Sequence, residues 1–258
     1  MRKLFALALF AALIQGVCVQ RIVAAEDQPA TDQKAITDLV EKVLKAHGGK
    51  AALGKFVACE MMVKGYTFQG DTKTPTSYGM ICQGVDKQRT VVFDSETNTQ
   101  VLQVNDGLKG WTKVGDEEPE AQSDAEVKIN CENGYLNWIT TVFPLKQKEY
   151  KLSLIDEVTV KGEAAVGLLV RREKHDDVKL YFDKKTYLLV KIEHPFHNVE
   201  TGANVTEVEV LSNYKTVQGI KQPYKGVTYW DGTLQSDVEI VELKLHEKRI
   251  DDKLFEKP

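Results

Sequence analysis

The sequence predicts a mainly β protein with some helix (α+β), in which a long antiparallel sheet curls into an incomplete barrel. From Phe56 onward, apolar residues recur at every second position through about twelve short segments, which Gly, Pro, Asn and Asp separate. Only two segments have helical spacing, one near the N-terminus and one in mid-chain. Because a sheet of that many strands twists, we expect it to curl, with the N-terminal helix and the mid-chain helical segment covering it.

The first 25 residues have the pattern of a secretory signal peptide. Arg2 and Lys3 give a positive start, Leu4–Val19 is almost entirely apolar, and Val23–Ala25 supplies small residues. The apolar run is shorter than the ~20 residues that cross a bilayer. We therefore expect an exported protein of the periplasm or cell envelope that does not span the membrane. No linker or repeat divides residues 26–258, so we expect them to form a single domain.

The charge balance argues against nucleic acid as a partner. Loss of the signal peptide would remove three positive charges and no negative ones, which takes the formal net charge from −4 to −7. No stripe of Lys and Arg interleaved with aromatic residues offsets this acidity. We also expect a monomer that needs no cofactor.

Cysteine usage leaves two interpretations open. Cys59, Cys82 and Cys131 follow the predicted signal peptide, and an odd number is not a disulfide framework. Cys59 and Cys82 fall on neighbouring predicted strands, so a single bridge between them is possible in an oxidising compartment. The other interpretation is that all three are small buried thiols. A lipid anchor on Cys18 is a separate alternative to cleavage of the leader.

The N-terminal helix is predicted from apolar residues at helical spacing. Thr31 or Asp32 can cap its start, and Gly48-Gly49 ends it. This helix must bury its apolar face against the sheet. The residues of that face are Ile36, Leu39, Val40, Val43 and Leu44.

The mid-chain helical segment begins with a possible capping box, Ser123-x-x-Glu126. Apolar residues follow at helical spacing as far as Pro144. The internal Asn133-Gly134 pair leaves open whether the segment forms one helix or two short ones.

Twelve strands flank the mid-chain segment, five before it and seven after it. The first five are FVACEMMVKGYTF, TSYGMICQG, QRTVVFD, TQVLQV and KGWTKV. The next seven are YKLSLIDEV, AAVGLLVRRE, DVKLYFD, YLLVKIEH, NVTEVEVLSNY, PYKGVTYW and LQSDVEIVELKLHE. In the last strand the apolar parity slips between Ile240 and Val241, which indicates a bulge or a strand that is apolar on both faces.

Three stretches carry a resemblance to a known family. They are GVDKQR…VNDGLKGWTKV, with a turn at Asp106-Gly107 before Trp111; the hairpin VKLYFDKKTYLLVKIEH; and the C-terminal IDDKLFEKP. Their order and spacing resemble the periplasmic lipoprotein carriers and sorting proteins of the LolA/LolB type. That resemblance implies a half-barrel with a helical lid over an apolar cavity, and a lipid or lipoprotein acyl chain as ligand. The carriers have an Arg-Pro where this chain has Gly84-Val85-Asp86.

Thirteen apolar side chains are the candidate cavity lining. They are Phe56, Met62, Tyr66, Phe93, Leu102, Trp111, Trp138, Ile139, Phe143, Leu180, Phe182, Val190 and Tyr229. Each one alone is also compatible with ordinary core packing, and the sequence leaves open whether the interior is filled or hollow. For Trp111 the choice is between core and cavity wall.

The sequence predicts no catalytic residues. It lacks G-x-S-x-G, H-E-x-x-H, a P-loop and a dinucleotide fingerprint. We therefore expect a non-enzymatic binding protein of the cell envelope that holds a lipid, a lipoprotein acyl chain or another apolar ligand. One alternative is an envelope interaction or sensor protein with a filled core and a working sheet face. The other is a metal-dependent enzyme centred on His194 and His197, which the sequence places in a loop after a strand.

Overall fold

A computed structural model describes residues 30–94, 99–198 and 202–258. The expected signal peptide and Cys18 lie outside these residues. Within the described part of the chain, no helix has the length and apolar character needed to cross a membrane.

One antiparallel sheet of thirteen strands forms the body of the protein. The strands are β1 (Ala58–Gln69), β2 (Thr72–Gln83), β3 (Lys87–Asp94), β4 (Thr99–Asn105), β5 (Gly110–Val114), β6 (Glu120–Ala121), β7 (Lys151–Val160), β8 (Glu163–Arg171), β9 (Val178–Asp183), β10 (Leu189–Asn198), β11 (Ala203–Val217), β12 (Ile220–Trp230) and β13 (Thr233–His246). Consecutive strands pair with each other within two meanders, β1 to β6 and β7 to β13, and the first strand pairs with the last, so the two meanders join at that seam.

The sheet is open, because β6 and β7 are its two edges and no ladder joins them among the described strands. This confirms the prediction of an incomplete barrel with helices. All twelve predicted strands are present, and only the two-residue β6 was not predicted from the sequence.

The parity slip in β13 proves to be a bulge. Met62 pairs with Glu242 and Val63 pairs with Ile240, so Val241 is left over and lies 48% exposed.

In the described residues, three α-helices accompany the sheet: α1 (Ala30–Ala46), α2 (Lys50–Leu53) and α3 (Asp124–Ile139). Two short 3₁₀ helices, Phe143–Lys146 and Asp252–Phe255, complete the helical structure of this part of the chain. Thr31 and Asp32 lie inside the first turn of α1 and not at its N-cap, which corrects the expected boundary. An acidic residue in a first turn is favourable because of the helix dipole. The helix ends where predicted, and Gly48 has a φ of 123° that most residues avoid.

The mid-chain segment is a single helix. Its capping box is complete, since the Ser123 hydroxyl accepts from the Glu126 amide and the Glu126 carboxylate accepts from the Ser123 amide. Asn133-Gly134 does not split it. Gly134 is buried, and it lets the helix approach the turn between β2 and β3.

The helices fill only one half of the inner face of the sheet. The apolar stripe of α1 packs with the last turns of α3 against the strands from β8 to β11. Fully buried side chains there include Val43, Ile139, Leu168, Leu180 and Phe182. The other half, where β1 and β2 meet β13, is covered less completely.

Candidate functional site

A cavity of about 260 Å³ lies between the end of α3 and the seam at which β1 pairs with β13. Its volume is slightly below the roughly 300–1,000 Å³ range that is typical of small-molecule sites. On the inner face of the sheet, the half from β8 to β11 is therefore packed by the helices, and the half at the β1–β13 seam holds the cavity.

Side chains from three parts of the chain line this cavity. Those from β1 and β2 include Cys59, Met61, Val63, Tyr78, Met80 and Cys82. Those from β10, β11 and β13 include Ile192, Glu209, Leu211, Val238, Ile240 and Leu243. Those from α2, α3 and the segments that follow them include Leu53, Phe56, Asn137, Trp138, Thr141 and Phe143.

The lining is mainly apolar, and two of its hydroxyl groups are already satisfied. Thr140 and Thr141 both line the cavity near the C-terminal end of α3. Thr140 Oγ1 donates to the carbonyl of Asn137 at 3.1 Å, and Thr141 Oγ1 donates to that of Trp138 at 2.7 Å. Because these groups bond to their own helix, they do not require a polar ligand.

Glu209 is the acidic side chain in the cavity wall. Burial, together with the nearby carboxylate of Glu207, raises its pKa to about 7, and His194 partly opposes that rise. The Glu209 carboxyl lies against the backbone of Gly226, in the space that a side chain there would fill. A carboxyl with this pKa is mostly uncharged below about pH 7, and in that form it is compatible with an apolar ligand.

Lys225 also borders the cavity, but its charge is used elsewhere. Its Nζ atom lies 2.9 Å from Asp237 Oδ1 and 3.8 Å from Glu239 Oε1. Glu209 is therefore not balanced by this lysine. The pKa of the nearby Tyr78 phenol is raised to about 12. Burial is the main cause, and the negative charge of Glu209 contributes.

The structure distributes the thirteen predicted lining residues over several places. Phe56, Trp138 and Phe143 line the cavity. Ile139, Leu180 and Phe182 are fully buried in the packed core. The remaining seven lie outside this cavity lining: Met62, Tyr66, Phe93, Leu102, Trp111, Val190 and Tyr229.

Met62 and Phe93 belong to the opposite face of the sheet. There they border a second, shallower depression of about 620 Å³, together with Glu60, Arg89 and Lys244. Residues of alternating parity on one strand face opposite ways, so Met61 enters the cavity and Met62 points away from it.

Trp111 lies on β5, opposite Val104 of β4 and next to Ala121 of the edge strand β6. It is half-buried, and its backbone carbonyl lies 3.4 Å from the Gln122 side-chain amide. Its position is therefore near the edge of the sheet that β6 forms.

His194 and His197 do not form a common site. Both lie within β10, which continues through Pro195 to Asn198, so the expected loop is wrong. A spacing of three along a strand sends the two rings to opposite faces. His194 bonds to Glu207 at 3.3 Å, whereas the exposed His197 bonds to Asn204 at 2.9 Å. Among the described residues, no group of three or more His, Cys, Asp and Glu is placed to hold a metal.

Sequence reasoning missed most of the residues from the seam. Met61, Met80 and Glu209 were not candidates, although a signal for them exists. The turn at Gly70-Asp71 fixes the register of β1 against β2, and the register with the period of two then puts Cys59, Met61, Met80 and Cys82 on one face. Glu209 shares its face of β11 with Leu211 by the same parity.

Comparisons with known proteins agree with this architecture. A LolA superfamily protein from Nitrosomonas europaea matches with a TM-score of 0.55 at 13% identity, over 86% of this chain and 97% of the other. A domain named for outer membrane lipoprotein sorting, from Vibrio parahaemolyticus, matches with a TM-score of 0.57 at 10% identity, over 86% and 97%. A DUF1329 family protein from Desulfovibrio piger matches with 0.56 at 14%, over 87% and 97%.

No protein-family model and no curated protein matches the sequence. At identities this low, the shared property is the fold. The expected resemblance is confirmed at that level: this chain has the fold of LolA superfamily proteins over most of its length.

Proposed function

We propose that this protein is a non-enzymatic binding protein of the cell envelope that holds a lipid, or the acyl chain of a lipoprotein, in the cavity beneath α3. The observation that carries the proposal is the cavity itself, which is walled by apolar side chains of the sheet on one side and of the helices on the other. At its border, the hydroxyl groups of Thr140 and Thr141 bond to their own helix, Lys225 is paired with Asp237, and Glu209 is mostly uncharged below about pH 7.

The energetics suit an apolar ligand. Burial of apolar surface contributes about 25 cal/mol per Å² before the costs of ordering are subtracted. A chain that fills the cavity would contact Ile240, Leu243 and Phe143, which are partly buried or packed against the core. A highly polar ligand would have to give up its hydration without gaining new partners.

Two further observations support a lipid-binding role in the cell envelope. The fold is shared with a LolA superfamily protein and with a domain named for outer membrane lipoprotein sorting. The sequence of the first 25 residues is typical of an exported protein. The missing Arg-Pro bears on whether cargo is released as in the carriers, and binding alone is proposed here.

A displacement assay tests the proposal. The delipidated protein would be loaded with an uncharged fluorescent probe, N-phenyl-1-naphthylamine, and titrated with fatty acids, lysophospholipids and a diacylated lipopeptide. We expect saturable displacement by at least one acylated ligand. Absence of probe binding, or a probe that no acylated ligand displaces, would overturn the proposal and favour the interaction or sensor alternative.

A further inference from the structure

Four sulfur-containing side chains form one block in the cavity wall. Cys59 and Met61 on β1 lie directly opposite Cys82 and Met80 on β2. All four line the cavity. Directly opposed residues in an antiparallel pair have Cβ atoms about 4.5–5.5 Å apart, and diagonal neighbours are roughly 7–8 Å apart. The flexible methionine side chains can therefore converge with the two thiols on a single point.

The thiol groups of Cys59 and Cys82 are hydrogen-bonded to each other and do not form a disulfide. All three cysteines of the described chain are free, so Cys59 and Cys82 are not bridged in this structure. A hydrogen bond with the Cys82 side chain lowers the pKa of the Cys59 thiol, and the same interaction, together with burial, raises that of Cys82. The two thiol groups are therefore within hydrogen-bonding distance of each other.

Asn137 of α3 covers the block from the helix side. Its Nδ2 atom lies 3.9 Å from Met80 Sδ and 3.9 Å from Cys82 Sγ. A single amide group therefore touches two of the four sulfur atoms. An amide donor in this place suits a metal-bound thiolate, because hydrogen bonds from such neighbours orient metal ligands and tune their donor strength.

The carboxylate that neighbours this block on β1 is turned away from it. Glu60, between Cys59 and Met61, points to the other face, where it pairs with His246 at 2.7 Å. Soft sulfur ligands suit Cu(I), Zn²⁺ and iron–sulfur clusters, and of these Cu(I) is the one whose sites use methionine thioethers, whereas carboxylate, carbonyl and water ligands suit Mg²⁺, Ca²⁺ and Mn²⁺. The donor set is therefore soft.

We propose that Cys59, Met61, Met80 and Cys82 form a binding site for one Cu(I) ion in the cavity wall. Binding replaces the thiol protons of Cys59 and Cys82 with metal–sulfur bonds, and these protons leave to solvent. The oxidation state of the metal does not change. The site adjoins the proposed lipid cavity but does not depend on a lipid ligand.

The test is an anaerobic Cu(I) titration of the reduced, delipidated full-length protein against the chromogenic chelator bathocuproine disulfonate. We expect one Cu(I) per chain and an X-ray absorption spectrum that contains sulfur ligands alone. Cys59→Ser with Cys82→Ser should abolish binding. Asn137→Leu should weaken it by about tenfold. Met61→Leu with Met80→Leu should weaken binding and lower the number of sulfur ligands.

Matched controls lie close by. Met62→Leu, on the opposite face of β1, and Cys131→Ser, outside the block, should leave the stoichiometry and affinity unchanged. The proposal is overturned if the reduced wild-type protein retains no Cu(I), or if the Cys59/Cys82 double variant binds as well as wild type. It is also overturned if the protein from the exported fraction carries a Cys59–Cys82 disulfide. The acyl-displacement assay uses metal-free protein, so failure of either proposal is seen separately.

Discussion

Gly134 in the middle of α3 packs directly against the backbone carbonyl oxygen of Val85, in the turn between β2 and β3. A Cβ atom at Gly134 would lie 2.7 Å from that oxygen, closer than real Cβ contacts come. This contact sets how near α3 can approach the sheet, and α3 is the helix that roofs the cavity.

Replacing Gly134 with alanine should therefore destabilise the protein, although alanine is the better helix former. The gain in helix propensity is about 1 kcal/mol, and the overpacking cost is typically about 1–3 kcal/mol. Urea unfolding checks this, with Asn133→Ala as the neighbouring control. We expect Asn133→Ala to change the free energy of unfolding by less than Gly134→Ala does. An increase in stability for Gly134→Ala would show that α3 can move away without cost.

The capping box gives a second stability prediction. Ser123→Ala removes the side-chain acceptor for the Glu126 amide and should cost about 1 kcal/mol of unfolding free energy. Ser123→Asp keeps an acceptor at the N-cap and should stay close to wild type. Equal losses for both variants would mean that the serine acts through something other than the cap.

The sequence predicts those parts of the architecture that depend on local patterns, and not those that depend on contacts between residues far apart in the chain. The strands follow from the period of two, and the bulge at Val241 follows from a parity slip, because both are local patterns. Glu120 and Ala121 form a strand too short to have a pattern. The continuity of α3 through Gly134 depends on a contact with Val85, which is distant in sequence. The cavity exists because the helices do not cover the whole inner face of the sheet, and no local pattern in the sequence predicts how far they extend over it.

The raised pKa of Glu209 should make the free energy of unfolding depend on pH. Its pKa is raised on folding, from the ordinary value of 4.5 to about 7, mainly because of burial. A group with a raised folded pKa contributes stability that is complete below pH 4.5 and is lost as the pH rises through about 7. The difference between these limits is at most about 3 kcal/mol.

Glu209→Gln should flatten this dependence between pH 5 and pH 8, measured by urea unfolding at each pH. Glu239→Gln, an exposed carboxyl on β13, is the control and should keep the wild-type slope. Burial lowers the pKa of His194, but its bond to Glu207 outweighs this and raises that pKa above the ordinary value of 6.5, so the comparison is of slopes between variants and not of absolute stability. Parallel curves for wild type and Glu209→Gln would exclude Glu209 as the source.

The same carboxyl should make binding of an uncharged probe pH-dependent. Above about pH 7, Glu209 ionises and draws water into the cavity wall, so N-phenyl-1-naphthylamine should bind less tightly at pH 8.5 than at pH 6. Fluorescence titration measures this, and Glu209→Gln should bind equally at both pH values. A variant that keeps the full pH effect would place the titrating group elsewhere.

The most direct test of the cavity as a ligand site compares two adjacent residues of β13. Ile240 lines the cavity, whereas Val241 forms the exposed bulge beside it. We expect Ile240→Trp to fill the cavity and weaken binding of an acylated ligand by at least about tenfold, a loss of roughly 1.4 kcal/mol. Val241→Trp should bind as wild type does, with both variants shown to be folded by circular dichroism. Unchanged acyl binding in folded Ile240→Trp would contradict the account.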